Sequence, residues 1–115
     1  MTANALRFLS EHIAMRGLSD ITPIRFEFGP NMPRVVVPDR DFSALARWAV
    51  SLSYVRVEHA VGGFHAHGRL GSGMEIHVVS FTSYNTGPGD ELPYGEMKLG
   101  LLEWLARNQI EGAAA

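Results

Sequence analysis

The chain contains no cysteine, which removes disulfides, thiolate metal sites and thiol nucleophiles together. That composition fits a cytoplasmic protein. Lysine is nearly absent too. Of ten Lys and Arg residues only Lys98 is a lysine, and twelve Asp and Glu residues bring the formal net charge to −2. A surface that tracks phosphates needs a dense basic patch, so nucleic acid is not an expected partner. No apolar run approaches the roughly 20 residues needed to span a bilayer. The opening "MTANALRFLSEHIAMRG" also lacks the basic start and continuous apolar stretch of a signal peptide. No membrane partner is expected. Walker, dinucleotide, EF-hand and H-E-x-x-H motifs are missing, and so is a G-x-S-x-G elbow; Ser72 in "GSG" reads as a turn residue.

What is present suits one globular domain over residues 1–115, with 46% hydrophobic and 19% charged residues. The tail 110–115 is expected to fray. The excess of Arg over Lys, with many Ala and Gly, points to a GC-rich source.

Apolar residues Leu6, Leu9 and Ile13, joined by Ala5 and Phe8, recur at helical spacing over residues 4–16, with His12 at the boundary of the stripe. Gly17 supplies the stop. "PIRFEF" then alternates as a half-buried strand does, "GPNMP" turns, and "RVVV" returns as its hairpin partner. Asp39 or Asp41 caps a second helix running to about Leu52, whose buried stripe is Phe42, Leu45, Ala49 and Leu52. Three strands follow, 54–61, 64–70 and 74–81, separated by Gly62-Gly63 and by Gly71-Ser72-Gly73. Residues 82–93 show no periodicity, and 94–110 read as a last helix, with Asp90 and Glu91 near its start. The order is αββαβββα. It predicts a two-layer α+β fold: a five-stranded, mostly antiparallel sheet made of two hairpin units, with the helices on one face.

The glycine turns set which side chains share a face. A turn at Gly62-Gly63 opposes His59 to Ala66, and a turn at 71–73 opposes Gly68 to Ile76 and Ala66 to Val78. One face then collects Val55, Val57, Val61, Phe64, Leu70, Met74, Ile76 and Val78, with His59 as a neutral, hydrogen-bonded core histidine. The other face aligns Glu58, His67 and His77 in one row, and Arg69 opposes Glu75. Two imidazoles and a carboxylate at cross-strand spacing are a ligand set for zinc or iron.

Two features suggest macromolecular contact instead. In "YGEMKLGLLEWLARNQI" apolar residues surround most of the helix, which predicts a homo-oligomer with Leu101 and Trp104 at the interface. If the first hairpin pairs Phe28 with Arg34, the outer sheet face carries Val35 and Val37 with His65, Arg69, Val79 and Phe81; together with Tyr84, Asn85 and Tyr94 of the 83–94 loop it reads as a surface for a protein partner. The leading expectation is therefore a non-enzymatic binding or adaptor protein without a cofactor. The alternative is a metal-binding protein or metal-dependent enzyme using Glu58, His67 and His77. A third reading is a small-ligand site near His59.

Overall fold

The structure, a computed structural model, describes residues 2–23, 25–28, 32–82 and 89–114. Tyr84 and Asn85, expected to take part in recognition, lie outside them. Among the described residues nine elements follow one another: α1 (Thr2–Met15), β1 (Arg25–Phe28), β2 (Pro33–Val37), α2 (Phe42–Ser51), β3 (Ser53–Ala60), β4 (Gly63–Arg69), β5 (Glu75–Phe81), β6 (Gly95–Met97) and α3 (Leu99–Ala114). The α+β class is as expected. The sheet, however, has six strands among the described residues, in the order β1-β2-β5-β4-β3-β6.

The two hairpin units are joined by a parallel pair, β2 with β5, so the sheet is mixed. Short links do make antiparallel neighbours. The β2–β5 contact instead spans α2, β3 and β4, and such a long connection leaves the partner strand free to run parallel. β6 lies where a helix was expected to begin. Gly95 adopts φ +125, a conformation unsuited to a helix, and Gly95–Met97 pair with His59–Val57 at the sheet edge. Met97 is therefore no part of the last helix.

Helix α2 starts as its residues imply, with the Asp41 carboxylate accepting the Ala44 N–H at 2.9 Å. Gln109 of α3 strengthens the same corner: its side-chain carbonyl accepts the Phe42 N–H, and its amide donates to the Arg40 carbonyl. Phe42, Leu45 and Ala49 are fully buried and Trp48 nearly so. They meet Val57, Phe64, Ala66, Ile76 and Val78 from the sheet and Leu102, Leu105 and Ala106 from α3 in one core. In α1 the buried side is Ala5, Leu9 and His12, while Leu6 is 53% exposed. That helix is thus rotated from the expected stripe, and His12 is buried rather than peripheral. No helix among the described residues is long and apolar enough to cross a membrane.

Two registers differ from expectation. The β3–β4 turn is centred on Val61-Gly62, so His59 faces Phe64 and Val57 faces Ala66. Gly62 supplies the positive φ (+89), whereas Gly63 is needed inside β4, because a Cβ there would come within 3.0 Å of the Ser80 carbonyl. This displacement is even, so each side chain keeps its face, but Val61 leaves the core and becomes 82% exposed. In the first hairpin Phe28 pairs with Pro33 rather than Arg34. That displacement is by one residue and inverts the face. Val35 and Val37 consequently sit in the core with no exposed surface, and their placement on an outer contact surface is corrected.

Candidate metal centre

Strand periodicity brings His65 and His67 of β4 to the outer face, and the antiparallel pairing sets His77 of β5 directly opposite His67. The expected row joined Glu58 to His67 and His77. In the structure Glu58 is paired across the sheet with His65, while His67 faces Arg56. The third histidine, His65, shares the outer face with His67 and His77 and completes the cluster, while the carboxylate lies at its rim. His65, assigned at first to a partner surface, is the member that sequence reasoning missed; the H-x-H spacing was the available signal.

The three rings stack like plates. His67 and His77 have centroids 4.4 Å apart at 6°, and His65 and His77 are 4.9 Å apart at 17°. One nitrogen from each of the three lies within 4.8 Å of the others. A metal held at about 2.0–2.1 Å by tetrahedral imidazoles separates its ligand atoms by about 3.3 Å, so the nitrogens must draw in by about 1–2 Å and the near-parallel rings must turn about their side-chain torsions until their in-plane lone pairs converge. The closest pair, His65 Nδ1 and His77 Nε2, is 2.6 Å apart, a contact in which one ring nitrogen donates to the other.

All three histidines are half-buried, and this shapes their chemistry. Burial pushes the His77 imidazole down to about 3, assisted by the charges of His67, His65 and Arg34. Burial also lowers His65, with Glu58 opposing. Desolvation disfavours the imidazolium form, and the neutral ring is the one with a lone pair for a metal. Glu58 Oε1 lies 3.3 Å from His67 Nε2. A carboxylate accepting an imidazole N–H fixes the tautomer and leaves the other nitrogen as a ligand, the usual outer partner of a metal-bound histidine.

The rest of the outer face differs from the apolar band expected there. Val79 and Val36 face each other, but both are covered, at 0% and 1% exposed. Phe81 is half-buried with the Arg34 guanidinium 5.8 Å from its ring centroid. Arg69 lies 3.5 Å from Glu75, and Arg34 and Arg25 both hold Glu27. Asp90 pairs with Arg40, 2.7 Å away, and does not cap α3, which begins at Leu99.

His59 occupies the predicted core face. Its ring lies 4.2 Å from Phe64 at 3°, Tyr94 packs 4.9 Å away, and Nδ1–H donates to the Leu92 carbonyl at 3.1 Å. These groups surround the imidazole beside which a small-ligand site was expected. Tyr94 itself remains 66% exposed. No family model, no curated protein and no solved structure matches the chain.

Proposed function

We propose that this protein binds a divalent first-row transition metal, zinc foremost, through His65, His67 and His77, with Glu58 orienting His67. The observation that carries this reading is the convergence of three ligand nitrogens within 4.8 Å on one sheet face. Three imidazoles suit zinc, iron or nickel better than magnesium or calcium, which prefer oxygen. Three protein ligands also leave a fourth position open, as in zinc sites that bind water or substrate rather than in closed structural ones. The adaptor reading loses its main support, since Val35 and Val37 are in the core and Val79 is covered.

Calorimetric titration of chelator-treated protein with zinc tests the proposal. One-to-one binding is expected. At a free zinc concentration a hundredfold above Kd, folding stability should rise by about 2.7 kcal/mol by mass action. His67→Ala combined with His77→Ala should abolish both effects. Binding that survives the double substitution, or no binding at all, refutes the assignment.

A further inference from the structure

The two histidines that face each other lie in a longer row. Across neighbouring strands the residues run Arg56, His67, His77, Arg34 and Glu27, all projecting from the same face. A divalent ion held by neutral imidazoles keeps its full charge, so the row would carry two guanidiniums and a dication. Arg34 is balanced by Glu27. Arg56 is exposed and, among the described residues, has no ion-pair or hydrogen-bond partner. An uncommitted guanidinium beside an open metal position favours an anion, because charge-assisted and bidentate contacts to an oxyanion are the strongest that Arg makes.

The space beside His67 narrows the class. A cleft of about 320 Å³ is lined by Tyr54, Arg56, His67, Ile76 and the Arg69–Glu75 pair, in which the carboxylate is already answered by its own guanidinium, and its size is the low end of small-molecule sites. Its outer wall is built by a bulge. The β3–β4 register shifts between Ser53 and Arg56, and Tyr54 there adopts φ +53 with 88% of its surface exposed. A tyrosine in the left-handed region is strained, and bulges of this kind re-aim side chains next to binding sites. Gly68 lines the cleft beside His67, and on its core side a Cβ would lie 2.8 Å from that of Leu52.

We infer that the metal centre takes a small organic carboxylate, its anionic end shared by the metal and Arg56 and its apolar body against Tyr54. The inference rests on the metal reading above. The fixed cation, the open coordination position and a cleft with both polar and apolar walls select a carboxylate carrying an apolar group over a bare inorganic anion.

Cobalt(II) reports on both steps, since its visible bands respond to coordination number and ligand. Cobalt-loaded protein is titrated with benzoate, acetate and inorganic phosphate. Benzoate is expected to give a saturable spectral change and to bind more tightly than acetate. Arg56→Gln should weaken benzoate at least tenfold while metal affinity stays within threefold. Tyr54→Ala should weaken benzoate and leave acetate unchanged. Cobalt binding with no response to benzoate, or an unchanged benzoate affinity in Arg56→Gln, overturns this inference and leaves the metal site standing. A saturable, Arg56-dependent response to phosphate in place of benzoate overturns the carboxylate class. Failure to bind cobalt or zinc at all overturns both readings.

Discussion

At the scale of single residues, His59 shows how a polar side chain is accommodated in an apolar layer. It is 4% exposed, lies flat on Phe64 and places one ring nitrogen on the Leu92 carbonyl. Gly89 reinforces the same site, since at φ +89 a Cβ there would come within 2.8 Å of Phe64 Cζ. Removing the imidazole leaves a cavity beside Phe64 and takes the hydrogen-bond donor from the Leu92 carbonyl. His59→Ala is therefore expected to lower unfolding free energy by about 1–3 kcal/mol in denaturant melts. Glu75→Ala, on the exposed rim, should stay within about 0.5 kcal/mol of wild type. Equal losses would mean that His59 is not packed as described.

At the scale of elements, α1 packs through Leu9 and is tied to its neighbours by the hydrogen bonds of one histidine. His12 Nδ1 accepts the Gly71 N–H at 3.1 Å, while Nε2 lies 3.0 Å from Ser51 Oγ, whose own hydrogen goes to the Trp48 carbonyl. Its Nδ1 therefore must stay unprotonated, so that Nε2 carries the hydrogen. Burial, and next the charge of Arg16, hold the His12 imidazole below its ordinary value of 6.5. On acidification the unfolded chain takes up a proton near 6.5 that the folded protein refuses until its own lower value is reached. The stability contribution of His12 is thus full above about 6.5 and is lost progressively as pH falls from there to the lower value of the folded protein. His65 and His77 act with the same sign, so a variant must separate them. His12→Gln should be less stable than wild type at pH of about 7.5, and the gap should shrink at pH of about 5. A gap that stays constant between the two pH values would show that His12 is not what couples α1 to pH.

At the scale of the whole molecule, the helical layer is not fully covered. Leu102 and Leu105 of α3 are buried, but Trp104 is 51% exposed and Val50 of the neighbouring α2 is 57% exposed. Leu101 is half-buried. The expected all-round apolar helix is thus narrower than it looked, since Met97 belongs to β6, yet a large aromatic still faces outward. Self-association through Trp104 is the outcome expected, because burying an aromatic ring is worth more than most surface contacts. Sedimentation velocity at micromolar concentrations should give a dimer, and Trp104→Glu a monomer with an unchanged circular dichroism spectrum. A wild-type protein that sediments as a monomer throughout that range would end the argument.

Much of this architecture was legible in the sequence, because periodicity and turn chemistry act locally. Alternation in "YVRVEHAV" and "MEIHVVSF", the Asp41 cap and the Phe42, Leu45 and Ala49 stripe all depend on residues within a few positions of one another. The faces of His59, His65, His67 and His77 were legible for the same reason, since the β3–β4 displacement was even and left the alternation intact. Other features depend on contacts between distant segments. The first hairpin slipped by a single residue, which sent Val35 and Val37 inward, and the pairing of β2 with β5 ran parallel across an intervening helix and two strands. Local pattern carries no information about such pairings. The histidine cluster shows the division most clearly. Alternation put three imidazoles on one face, but whether Glu58 stood beside His67 or beside His65 depended on a two-residue offset between β3 and β4. That offset was decided by the close approach of Gly63 to β5, a contact that exists only in the folded sheet.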